Sequence, residues 1–122
     1  MKFIIESEVL IQVIFEENDS EGKVVVPEGV TSLVDALFSE NKIIRSIVLP
    51  TTLTSIGMEA FRESTIDTVL VTSRQSLEIG ALAFCQSNVR KVQICYPLHD
   101  ISLGESCFAF CDKLEKLELW AD

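Results

Sequence analysis

The chain repeats itself. The block Ile56-Gly57-Met58-Glu59-Ala60-Phe61 returns as Ile79-Gly80-Ala81-Leu82-Ala83-Phe84 and, more loosely, as Leu103-Gly104-Glu105-Ser106-Cys107-Phe108. A degenerate copy, Leu33-Val34-Asp35-Ala36-Leu37-Phe38, precedes them, so phenylalanines stand at 38, 61, 84 and 108, at intervals of 23, 23 and 24. A fixed period in this range means a stack of like units, because one copy cannot bury its apolar face alone and must share a core with its neighbours.

Five or six residues after each Phe comes an apolar anchor (Ile44, Ile66, Val89, Leu114), and three residues later an apolar-x-apolar triplet. The triplets are Ile47-Val48-Leu49, Val69-Leu70-Val71, Val92-Gln93-Ile94 and Leu117-Glu118-Leu119, with Val24-Val25-Val26 ahead of the first Phe. Alternation of this kind predicts short strands. Strands joined by a helical or turn segment lie parallel, stacked about 4.8 Å apart, so five rungs make a coil about 20 Å long. The expectation is an α/β repeat solenoid with a short parallel sheet on one face and helical or turn segments on the other. Its Phe side chains form a ladder, and glycine marks the places where the backbone turns tightly or approaches the next coil.

Ahead of the repeats, "FIIESEVLIQVIF", a polar "EENDSEG" and the first triplet read as strand, turn, strand. Residues 1–23 are expected to be an N-terminal β-hairpin cap, covering a first rung that would otherwise expose core and leave "VLIQVIF" as an open, aggregation-prone edge. Residues 24–122 hold about four repeats and end in an uncapped strand, the whole forming one domain. A chain of 122 residues with 48% apolar and 24% charged residues has enough apolar surface for a packed core.

Charge narrows the partners. A formal net charge of -9, with ten scattered Lys and Arg, opposes phosphate backbones and anionic lipid, so neither nucleic acid nor membrane insertion is expected. Glu6 and Glu8 interrupt the apolar N-terminus, and "VLIQVIF" falls far short of the roughly 20 residues that span a bilayer. The chain therefore reads as cytoplasmic if complete, and as cell-surface or secreted if cut from a longer protein.

The pattern Pro-x-x-Val-x-x-Ile-Gly-x-x-Ala-Phe-x-x-Cys-x-x-Leu-x-x-Ile-x-Ile resembles the BspA-like leucine-rich repeat family, over residues 24–119 in four copies. Cys111 fills the Cys slot in the fourth copy, where Asn41, Ser64 and Ser87 stand in the others. Val34 replaces Gly in the first copy, Thr72 and Cys95 replace Pro, and segments 72–79 and 95–103 are longer than 50–56. The resemblance implies a right-handed leucine-rich-repeat coil. It also implies a non-catalytic interaction module, since such repeats occur in bacterial surface proteins that bind host matrix proteins or other cells.

No constellation predicts chemistry, and no cofactor or metal is expected. Cys95, His99, Cys107 and Cys111 have zinc-ligand residue types, but four ligands must converge to about 2.0–2.3 Å from one ion, and the repeat register sends Cys107 to the core and Cys95 to another side of the coil. A Cys95–His99 nucleophile pair lacks an orienting third group. His99 reads as an exposed loop residue. "ENDSEG" lacks the alternating ligands and terminal Glu of a calcium loop and reads as a solvated turn.

Surface remains. The middle residue of each triplet points away from the core. The outward line is then Val25, Val48, Leu70, Gln93 and Glu118, with Ser46, Thr68, Lys91 and Lys116 beside it and Trp120 near its end. Three aliphatic side chains in a row on an exposed face make this the expected binding face for a protein partner. The alternative is a structural or self-assembling unit that forms a homo-oligomer through its C-terminal strand.

Overall fold

The structure, a computed structural model, describes residues 1–95 and 100–120. All five triplets are strands, β3 (Lys23–Val25), β5 (Ser46–Leu49), β7 (Thr68–Val71), β9 (Lys91–Cys95) and β11 (Lys116–Trp120), and they form one parallel sheet in the order β11-β9-β7-β5-β3. The pairing Val25↔Val48↔Leu70↔Gln93↔Glu118 holds without slippage along all five. The molecule is a parallel β-solenoid of about five turns.

A second sheet lies on another side of each coil; its strands within the repeats have no counterpart in the sequence reading, which expected a strand only over the N-terminal segment. Its strands are β1 (Lys2–Glu6), β2 (Val9–Ile14), β4 (Ser32–Leu33), β6 (Ser55–Ile56), β8 (Leu77–Ile79) and β10 (Ile101–Leu103), in the order β1-β2-β4-β6-β8-β10. The longer segments at 72–79 and 95–103 accommodate three-residue strands where the earlier coils have two. The expected single strand over "FIIESEVLIQVIF" turning through "EENDSEG" into the first triplet is not what forms: the chain already reverses at Ser7 and Glu8, both at positive φ, so that β1 and β2 pair antiparallel with a register shift between Ile4 and Ile5, while "EENDSEG" leads into β3 of the other sheet. Phe3, Val13 and Phe15 pack against the core. β2 also pairs in parallel with β4, so this segment is continuous with the solenoid sheet.

The helical option for the segments carrying Ala60-Phe61 is not what forms. They are chains of turns, and among the described residues the one helical piece is a 3-10 turn at Glu17–Asp19, which makes the architecture all-β in place of α/β. Hydrogen bonding supplies the reason. The amides of Ala60, Arg62 and Ser64 donate locally to the carbonyls of Gly57, Glu59 and Phe61. Those of Glu59, Phe61 and Glu63 donate to Ala81, Ala83 and Cys85 of the following coil at 3.0, 2.7 and 2.9 Å. An α-helix would bond every amide within its own segment and leave the coils unjoined. The alternation requires a left-handed residue twice per coil, at Ala36 and Glu40, Glu59 and Glu63, Leu82 and Gln86, and Ser106 and Phe110. Each costs about 1–2 kcal/mol, offset by the bonds between coils.

Inside, Phe38, Phe61, Phe84 and Phe108 stack with ring centroids 5.3, 4.8 and 5.3 Å apart, matching the rung spacing. Ile47 and Leu49, Val69 and Val71, and Val92 and Ile94 are buried beside them. The repeated glycines serve close approach. A Cβ on Gly80 would lie 2.7 Å from the Met58 amide nitrogen, and one on Gly104 would lie 2.4 Å from that of Ala81. Under Val34 the preceding coil is β2, which runs on as a strand to Ile14 without turning, and a side chain is tolerated there.

Candidate interaction surface

The inward and outward assignment of the strands follows the triplets. Flanking residues are buried from Val24 to Ile94, while Val25 is exposed and Val48, Leu70, Gln93 and Glu118 are half-buried. The outward line is thus real but less prominent than three free aliphatic side chains. A strand with neighbours on both sides has its outward side chains flanked above and below; Val25, on the edge strand β3, escapes this at 64% exposure, whereas Glu118, on the opposite edge strand β11, is flanked by Lys91 and Lys116. Ser46, Thr68, Lys91 and Lys116 run in register beside the line.

The face changes character along its length. From β3 to β7 its central line is aliphatic, with Lys23, Ser46 and Thr68 in the row beside it. From β9 to β11 it is charged, with Lys91 Nζ 3.6 Å and Lys116 Nζ 3.9 Å from Glu118 Oε1. Along the corner that leads into the strands, Arg90 bridges Asp67 of the preceding coil at 3.2 Å and Glu115 of the following one at 3.7 Å. Exposed pairs of this kind contribute little stability. The backbone of Trp120 closes β11 opposite Cys95, and its side chain lies outside what is described.

The cysteines sit where the repeat places them. Cys107 occupies the core slot of Ala60 and Ala83 and is buried, as is Cys85. Cys111 donates from Sγ to the Phe84 carbonyl oxygen at 2.9 Å and lies 3.9 Å from Ser87 Oγ. In the same slot of other coils, Asn41 Oδ1 accepts from the amides of Ile43 and Ile44, and Ser64 and Ser87 Oγ accept from those of Ile66 and Val89. This slot closes the corner before the apolar anchor. Burial pushes both the Cys107 and Cys111 thiols up from their ordinary value, which keeps them protonated and poor as metal ligands or nucleophiles. His99 lies outside the described residues, and with it the Cys95–His99 pair.

The other conspicuous surface is the C-terminal end of the coil. An apolar recess of about 160 Å³ opens there, with Ile94, Leu103, Phe108, Leu117 and Leu119 in its lining. Leu117 and Leu119 are 51% and 57% exposed, although the same slots one coil earlier, Val92 and Ile94, are at 1% and 4%. Phe110, at 74%, was missed by reasoning on triplets alone. The repeat register carries the signal: Phe110 stands in the outward slot that other coils fill with Glu40, Glu63 and Gln86.

A family model described as BspA type leucine rich repeat region matches residues 10–122 in six copies. The match starts inside the segment read as a separate cap and counts more copies than the four read from the Phe period. Neither the comparison with curated proteins nor that with solved structures gives a match.

Proposed function

The chain belongs to the BspA type leucine rich repeat family, and from that premise we propose that it is a non-catalytic protein-interaction module that binds a protein partner on the outer face of the sheet β11-β9-β7-β5-β3. Repeats of this family are often found in protein interaction. The observation that carries the reading is the unbroken line Val25, Val48 and Leu70 on three adjacent strands, continued by Gln93 and Glu118. An aliphatic stretch followed by a polar, charged one suits a contact with an apolar centre and a charged rim. Trp120 belongs to the proposed face through its place at the end of β11.

The test is affinity capture with the parent chain and with a Val48→Glu, Leu70→Glu variant, each captured protein then being purified and titrated directly against both. The reading expects at least one partner whose binding is abolished by the double change. Buried, unpaired carboxylates at a contact oppose association strongly. Partners that bind both forms equally would overturn it. A second reading, self-association through the C-terminal end, is favoured by the apolar recess around Leu117 and Leu119.

A further inference from the structure

We propose that the open groove around Asn88, on the corner between the turn segments and the sheet β11-β9-β7-β5-β3, binds a neutral saccharide chain. The Phe110 ring is the platform for one sugar ring, and the side chains of Gln86, Asn88, Asp112 and Lys113 are partners for its hydroxyls. The groove lies beside the sheet face, and the inference stands independently of the protein-binding reading above.

One residue per corner makes the groove. In the coils of Phe38 and Phe108, two residues separate the corner-closing residue from the apolar anchor, Lys42-Ile43 and Asp112-Lys113, while the two coils between them have one, Thr65 and Asn88. The anchors Ile44, Ile66 and Val89 are buried and Leu114 packs against the same core, so the extra residue loops outward, which leaves Ile43 44% exposed. The outer corners are therefore ridges and the inner ones a floor. Three adjoining hollows of about 370, 380 and 290 Å³ meet along that floor, and Asn88 lines all of them.

At the N-terminal side of the groove the polar side chains are spent on the fold. Thr65 Oγ1 donates to the Ile44 carbonyl oxygen at 2.7 Å, Lys42 Nζ to that of Glu63 at 2.8 Å, and the Arg45 guanidinium to those of Lys42, Ile43 and Ile44. In the hollow of about 290 Å³ they are not. Asn88 occupies the slot of Thr65, yet among the described residues its side-chain amide makes no hydrogen bond, nor does that of Gln86, and the side chains of Asp112 and Lys113 form no hydrogen bond or ion pair. Phe110 completes this hollow at 74% exposure. That exposure belongs to the slot and not to the end of the coil, because Glu40 and Gln86 in the same slot are exposed in interior coils.

The ligand class follows from these groups. A primary amide both donates and accepts, as a sugar hydroxyl does, and an aromatic ring offers the apolar face that the C–H side of a sugar ring can cover. Both signs of charge stand along the groove, Lys42 beside Glu40 and Glu63 and Lys113 beside Asp112, so neither an anion nor a cation is favoured. A peptide adding as a strand would need free backbone donors. The amides of Gln86, Ser87, Asn88 and Arg90 already donate to the carbonyls of Ala109, Phe84, Ser64 and Asp67, and that of Val89 to Ser87 Oγ. A single ring among polar groups also lacks the enclosed apolar pocket that anchors a protein contact.

A broad glycan array probed with the labelled 122-residue protein tests this, followed by titration of the strongest neutral glycan while the side-chain amide NMR signals are read. The expected results are binding to at least one neutral glycan, saturable shifts of the Gln86 and Asn88 side-chain amides, and binding weakened by about tenfold or more in Phe110→Gln and in Asn88→Thr. Each variant carries the residue found in the same slot of an earlier coil, Gln86 and Thr65, so both should fold. Val48→Glu with Leu70→Glu should bind the glycan like the parent, which separates this inference from the sheet-face reading. Binding to no neutral glycan, binding to anionic glycans alone, or glycan binding indifferent to both groove variants would overturn it. A protein captured through Phe110 with no glycan bound would overturn it too, and would give the groove to a protein contact.

Discussion

The ring of Phe84 lies 4.8 Å from that of Phe61 with their planes 2° apart, and the same ring meets Phe108 on its other side at 5.3 Å. An interior rung therefore loses contacts in both directions when it is cut back. Phe84→Ala should destabilise by about 3–5 kcal/mol through lost burial and a residual cavity. Phe108 is half-buried at the end of the ladder, and Phe108→Ala should cost less. Urea denaturation measures both, and equal losses would point to a closed core in which position along the coil does not matter.

Gly80 sits against the backbone of the preceding coil, so Gly80→Ala has no flexible side chain to push aside. The Met58 amide nitrogen would be 2.7 Å from the new Cβ and Gly57 C 2.8 Å. The coils must part slightly, at about 1–3 kcal/mol by analogy with overpacked cores. A thermal midpoint unchanged from the parent would show that the approach is looser than described.

The four cysteines, Cys85, Cys95, Cys107 and Cys111, are free thiols. Thiol titration of the denatured, unreduced protein should count four, and elemental analysis should find no stoichiometric zinc. Burial raises the folded-state pKa of Cys107 and Cys111, so in mildly alkaline solution the unfolded chain releases protons that the folded one retains. Their contribution is fully present below the unfolded thiol value, about 8.5, and is lost as pH rises from there through the raised folded values. Stability should fall with pH across that window, and a Cys107→Ala, Cys111→Ser variant should show a shallower fall. Identical pH dependence in variant and parent would contradict the burial of these thiols.

The parts of this fold that were legible in the sequence are those written in side chains with a strict period. Phe38, Phe61, Phe84 and Phe108 announced the ladder, and the five triplets announced one sheet down to its register. The turn segments were not legible, because Ala60, Phe61 and Ser64 have helical spacing and the deciding factor is where backbone amides find acceptors in the next coil. The second sheet was hidden because β4 and β6 are two residues long, too short to display alternation. On the surface, the identity of the outward line was readable from Val25 to Glu118. Its half-burial was not, since that comes from neighbouring strands and not from the residues themselves.

The claim on which the account rests is that Val48 and Leu70 face out of the coil while Val69, between them in the chain, faces in. Urea unfolding of a Val48→Glu, Leu70→Glu variant beside Val69→Glu tests it most directly. The double variant should unfold cooperatively within about 1 kcal/mol of the parent, as surface substitutions do. Val69→Glu places a carboxyl in a packed apolar core and should cost several-fold more, or prevent folding altogether. If the double variant is the one that fails to fold, or if the two losses are alike, the outward line is not a surface, and the binding face proposed for it does not exist.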